Sequence, residues 1–234
     1  MNHFLGILGG MGPLATADFL RKIVEHTPAS NDQEHLPVLL YGDCTTPDRT
    51  ASIIGEGVSP LPYMLKGVSF LCQAGVGAIC IPCNSTHYWY EQIEAASSVP
   101  VLHIAKASVA HLQKVNPEAR TIGVMSTLGT YRAGIYTEPL LRMGYEVVSP
   151  TKEEFDTLVT PGISMVKANR INEAETLFQI SANRLLERGA QAIILGCTEI
   201  PLGMQQPCHL APEIYVDSTD ALAYSAIDFI KHVK

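Results

Sequence analysis

No stretch of the chain approaches the roughly 20 uninterrupted apolar residues that span a membrane. Positive charge is scarce, with 16 Lys and Arg against 23 Asp and Glu and a formal net charge of −7. That balance argues against nucleic acid or an anionic membrane surface as the main partner. It leaves room for an anionic small molecule in a locally basic pocket. Six cysteines in 234 residues are too sparse for a disulfide scaffold, and several sit inside apolar runs, which suits a reducing cytoplasm. The opening "MNHFLGILGGMG" lacks a basic n-region, so no signal peptide is expected. No second C-x-x-C or H-x-x-x-H pair completes a zinc site, and no glycine-lysine phosphate loop occurs. Neither a metal nor a cofactor is expected.

What is present is an ordered globular composition, 47% hydrophobic and 17% charged. Short β-branched runs at 4–8, 37–42, 77–82, 100–104, 121–126, 145–148, 191–196 and 213–217 alternate with amphipathic stretches. The alternation predicts an α/β protein with parallel sheets. In "NEAETLFQISANRLLERG", Ala174, Leu177, Phe178, Ser181 and Leu185 share a helical face, and Gly189 marks the stop.

The runs also repeat. "AGVGAICIPCNS" aligns with "RGAQAIILGCTE", setting Cys83 over Cys197 at an offset of 114 (197 − 83). "VLHIAKA" and "YVDSTDA" keep that offset, while "GILGGMG" meets "GVMSTLG" at 117 (123 − 6). Two similar halves follow, residues 1–105 and 106–217, with a closing segment 218–234. Ligands of parallel α/β sheets bind outside the carboxyl ends of the strands. Cys83 and Cys197 each end a buried run, so both are expected in a cleft between the halves. A following helix N-terminus is expected to lower each thiol pKa from about 8.5.

The other cysteines read differently. Cys80 lies inside the strand "AICIPC" as a small core residue and points away from Cys83, so "CIPC" is not expected to act as a redox pair. Cys72 falls on the apolar face of a helix, Cys44 follows the second strand, and Cys208 sits in a loop. His103 reads as a core histidine within a strand, and His87 as a residue that orients the Cys83 segment. Tyr88, Trp89 and Tyr90 pack a helix or an interface. Glu199 either caps a helix or stabilises a substrate amino group.

Gly10, Gly12 and Ala15 fit a G-x-G-x-x-A dinucleotide turn, with Asp43 as its acidic partner. The echo "STLGT" in the second half favours two backbone nests instead, Gly9–Gly12 and Ser126–Thr130. Met11, Gly12 and Thr127 then become substrate contacts. Two thiols on opposite faces of one carbon suit racemisation or epimerisation by 1,1-proton transfer.

"GILGGMGPLAT", "PCNST", "GCTEI" and "PDRT" together resemble the aspartate/glutamate racemase family, and its aspartate racemase branch most closely. The resemblance covers nearly the whole chain. It implies a pyridoxal-independent racemase of two pseudo-symmetric α/β domains, usually a homodimer, with 218–234 packed back on the first. It implies Cys83 and Cys197 as the acid/base pair, and Asn84, Ser85 and Thr198 beside the α-carboxylate and amino group. Arg49 and Lys167 would recognise the distal carboxylate of an acidic amino acid. Alternatives are a maleate-type cis–trans isomerase of the same superfamily and a non-catalytic dinucleotide- or small-ligand-binding protein.

Overall fold

The computed structural model describes residues 4–232; residues 1–3 of the first half and 233–234 of the closing segment lie outside the described residues. Strands β1 (Phe4–Gly9), β2 (Val38–Gly42), β3 (Val76–Cys80) and β4 (Val101–Leu102) form one parallel sheet in the order β2-β1-β3-β4. Strands β5 (Thr121–Ser126), β6 (Glu146–Val148), β7 (Ala192–Gly196) and β8 (Tyr215–Asp217) form a second in the order β6-β5-β7-β8. All eight expected strands are present, in two sheets of the same topology.

The repeat extends to the register. Ile79 pairs with Val101 and Ile193 with Tyr215, the same 114-residue step on both strands (193 − 79 and 215 − 101). Every residue of β7 is buried, as expected for a central strand with helices on both faces. On the helix Ile171–Glu187, Ala174, Phe178, Ser181 and Leu185 are buried, joined by Ala182, while Leu177 is half-buried. The helix ends at Glu187, and Gly189 takes a left-handed φ of 93° just beyond it.

Two local expectations fail. The run 100–104 yields only a two-residue strand, because His103 leaves it to cap the helix Ile104–Val115. Its Nδ1 accepts from the Ala105 N–H at 3.2 Å, so the ring completes a helix end rather than filling a core. Cys208 lies in the short helix Gln205–Leu210, not a loop. Cys72, on the helix Leu61–Gln73, is half-buried against the core as its apolar-face position predicts, with its thiol 3.6 Å from the Ser97 hydroxyl. No helix among the described residues is long and apolar enough to cross a membrane.

The helix Ser218–His232 starts at the end of β8 and returns to the first sheet. Leu222, Ala226 and Ile230 pack there with Leu5, Ile7 and Phe19. Beside this apolar seam, Lys22 of the helix Pro13–His26 reaches Asp217, and its Nζ also lies 2.6 Å from Thr219 Oγ1. Asp18 at 3.2 Å and Asp220 at 3.6 Å complete the cluster. Burial opposes charge on Lys22, but Asp217, Asp220 and Asp18 together raise its pKa above the ordinary lysine value. Asp217 is held below its ordinary value because Lys22 outweighs the burial.

Removing one partner of a buried pair strands the other charge in a poor solvent. Lys22→Met is therefore expected to lower stability by about 3–5 kcal/mol in urea unfolding. A loss under about 1 kcal/mol, the range of exposed ion pairs, would show that this joint contributes little.

Candidate active site

Cys83 and Cys197, each just beyond a strand of a different sheet, line one cavity. Cys83 follows β3 in the segment Ile81-Pro82-Cys83, and its carbonyl is fixed from two sides. Thr86 Oγ1 donates to it at 2.6 Å, and His87 Nδ1 lies 3.0 Å away. The other imidazole nitrogen, Nε2, accepts from the Ile104 N–H at 3.2 Å. Because Nε2 accepts, Nδ1 carries the proton and His87 is a neutral strut between the Cys83 turn and the helix Ile104–Val115. Burial lowers its pKa to about 4. With both nitrogens committed, its part is to orient the turn.

Cys197 follows β7 directly. Its thiol donates to Glu199 Oε2 at 3.1 Å, and Thr198 Oγ1 donates to the same oxygen at 3.3 Å. The expected depression of this thiol pKa is reversed. Burial and the adjacent Glu199 carboxylate push it well above the ordinary cysteine value, and the Glu199 backbone N–H and Lys167 oppose them only in part. The helix that follows Cys197, Ile200–Gly203, has only four residues and carries too little dipole to offset burial.

Met11, Arg49, Asn84, Ser85, Thr127, Lys167 and Thr198 line the same cavity as the two cysteines, and Gly12 lines the open chamber next to it. The cavity measures about 20 Å³ and the chamber about 290 Å³; the first has room for about one water molecule. Ser85 Oγ lies 3.6 Å from Cys83 Sγ. Asn84 turns away: it accepts from the Tyr136 hydroxyl and donates to Ser218 Oγ at 3.2 Å. Asp48 and Thr50 also reach the cavity. Sequence reasoning passed over both, although they flank Arg49 in the quoted "PDRT". Asp48 caps the helix Arg49–Ile53 by accepting from Ala51 N at 2.8 Å. Where that helix meets the second half, a side chain on Gly129 would lie 2.9 Å from Thr50 Cα, so only glycine permits the approach.

The two nests are partly occupied from within. Gly10 N–H donates to Thr16 Oγ1 at 2.9 Å, and Thr130 N–H to Thr127 Oγ1 at 3.1 Å. Neither donor is left for a ligand. Gly10 holds φ 91°, and a side chain there would strike the Asp43 backbone at 2.5 Å. A Cβ on Gly12 would stand 3.0 Å from Glu199 Oε1. Asp43 itself accepts from Thr45 N and Oγ1. A glycine turn facing a carboxylate, with its acid folded onto its own loop, does not suit a pyrophosphate.

Arg49 is braced by carbonyls: Nη1 donates to Thr46 O (3.2 Å) and Pro47 O (2.9 Å), and Nη2 to Met11 O (3.2 Å). Its Nε is buried and has no hydrogen-bond partner. Nε–H and the second Nη2–H together make the side-on fork that fits a carboxylate.

The neutral His87 carries a pH signature. Between its ordinary pKa of 6.5 and about 4, the unfolded imidazole takes up a proton that the folded one refuses. Stability is therefore expected to fall as pH drops through this window. His87→Gln, which keeps a donor and an acceptor, should flatten that decline in urea titrations at several pH values. An unchanged slope would mean that His87 is charged in the folded protein.

Comparison with known proteins identifies the family. Residues 8–226 match the family described as Asp/Glu/Hydantoin racemase. A broad specificity amino-acid racemase, RacX, of Bacillus subtilis is 30% identical over 95% of this chain and 96% of its own. The structure of an aspartate racemase of Picrophilus torridus superposes with a TM-score of 0.87 at 28% identity, covering 98% of this chain and 94% of that one. A glutamate racemase of Francisella tularensis, solved with D-glutamate, shares the fold at a TM-score of 0.74 and 17% identity over 99% of this chain and 82% of its own. The chain belongs to the Asp/Glu/hydantoin racemase family and is an amino-acid racemase.

Proposed function

We propose that the protein interconverts L- and D-aspartate, and accepts glutamate, by two-base 1,1-proton transfer between Cys83 and Cys197 without pyridoxal. The observation that carries this reading is that both cysteines line one cavity, each from a different sheet. A thiolate on one side takes the α-proton, forming S–H as C–H breaks. The opposite S–H then gives its proton to the other face of the carbanion. Cys197, held as a thiol by burial and Glu199, is loaded to donate. In the reverse direction the roles exchange: Cys197, left as thiolate by the forward transfer, takes the α-proton, and the S–H of Cys83 returns one to the opposite face.

The acidic side chain follows from the cations. Arg49 and Lys167 line the cavity, and the unused Arg49 fork suits a planar carboxylate. Substrate ammonium is served by Glu199, and the α-carboxylate by Ser85 and Thr198. The carbanion lacks a conjugated electron sink, so these fixed charges and dipoles in a closed site supply its stabilisation.

Incubation with L-aspartate, then L-glutamate, in heavy water is expected to give both enantiomers and deuterium at the α-carbon, read by proton NMR and chiral chromatography. Cys83→Ala and Cys197→Ala should each abolish racemisation. Absence of α-exchange with every amino acid tried would overturn the proposal.

Replacing the fork tests the choice of substrate. Arg49→Lys is expected to lower kcat/KM for aspartate by about 10- to 100-fold, the worth of one charged hydrogen-bonded contact. Alanine, which lacks the distal carboxylate, should change far less. Equal losses for both substrates would place Arg49 in the frame of the loop and not in recognition.

A further inference from the structure

Tyr136 belongs to the second half, yet its hydroxyl donates to Asn84, the residue after Cys83. Its ring lies over the residue before the other cysteine: a side chain on Gly196 would stand 2.9 Å from Tyr136 Cε2. The residue is buried, 1% exposed. A third route closes the circuit. Asn84 Nδ2 donates to Ser218 Oγ at 3.2 Å, and that hydroxyl donates to the Leu195 carbonyl of β7 at 2.8 Å. Ser108, on the helix joining the halves, brings its Oγ within 3.3 Å of the same phenol. Burial raises the phenol pKa above the ordinary tyrosine value, so it remains a donor.

We infer that Tyr136 is a positioning residue for racemisation: its hydroxyl and ring hold the Cys83 and Cys197 turns at one separation, in concert with Asn84 and Ser218. The inference rests on the two-thiol reading above. Transfer through a single carbon needs both sulfurs in reach of it at once, and reacting atoms must be held about 3–3.5 Å apart. A buried bridge made of one aromatic ring and three hydrogen-bonding side chains sets such a distance more firmly than a solvated loop would. The hydrogen bonds of the two sulfurs go to Ser85 and Glu199, not to the bridge. The bridge acts on the peptide units beside the two cysteines.

The consequence is a specific failure of coupling. If the separation loosens, a thiolate still removes the α-proton, but the opposite thiol is badly placed to deliver its own. The carbanion then returns to its starting face after the first thiol has exchanged with solvent. Deuterium enters the starting enantiomer without inversion.

The test uses the full chain with L-aspartate in heavy water, recording deuterium in recovered L-aspartate and in D-aspartate. Tyr136→Phe keeps the ring over Gly196 and removes only the hydroxyl. Racemisation is expected to fall roughly 10- to 100-fold, while exchange with retention falls less, so the retention-to-inversion ratio rises. Ser218→Ala, cutting the same bridge from its other end, should shift the ratio in the same direction. The two changes should combine to less than the product of their separate effects.

A ratio equal to that of the parent in both variants overturns the inference, as does a parallel loss of exchange and racemisation in either variant that unfolds at the temperature of the parent. A parent protein that neither exchanges nor racemises overturns the two-thiol reading instead, which separates the two failures.

Discussion

The ion pair between Lys22 and Asp217 is the constraint on which the arrangement of the halves depends. Lys22 stands on the first helix, and Asp217 ends the last strand of the second sheet. Both are buried, so any relative displacement would leave a charge without its partner in a medium that solvates it poorly. The next two residues extend the joint: Ser218 links Asn84 with the Leu195 carbonyl, and Thr219 bonds Lys22. Three consecutive residues therefore tie the closing helix, the first helix and the turns beside both cysteines into one frame. Apolar packing along Ser218–His232 supplies area, but it is non-directional. The charges and hydrogen bonds select one docking out of many.

Inside that frame, the chemistry at Cys197 is set by competition. Its position after a strand resembles that of activated cysteines, whose thiolates are favoured by nearby N–H groups. Here burial and the Glu199 carboxylate act the other way. The resting group is an acid with a carboxylate acceptor already in contact. A thiol in that contact has a proton acceptor beside it that does not depend on solvent.

Much of this architecture was legible in the sequence, because it rests on patterns that repeat. The eight β-branched runs became eight strands, and the 114-residue offset between cysteines reappears as a register offset between strand pairs. The "PDRT" and "CNST" segments converge on one cavity although they are distant in the chain. Illegible parts depend on what a side chain meets after folding. His103 reads as a strand residue until its ring finds the free N–H groups of the next helix. The sign of the Cys197 shift depends on burial and on the Glu199 rotamer, neither of which has a periodicity. Tyr136 sits in no motif. Its importance comes from reaching Asn84 in one half while covering Gly196 in the other.

The cavity lined by the two cysteines, about 20 Å³, admits about one water molecule, and a chamber of about 290 Å³ beside it shares Arg49, Lys167 and Glu199 with its wall. A molecule held in that chamber already stands against two basic side chains and the Glu199 carboxylate. Sorting by charge thus precedes contact with sulfur.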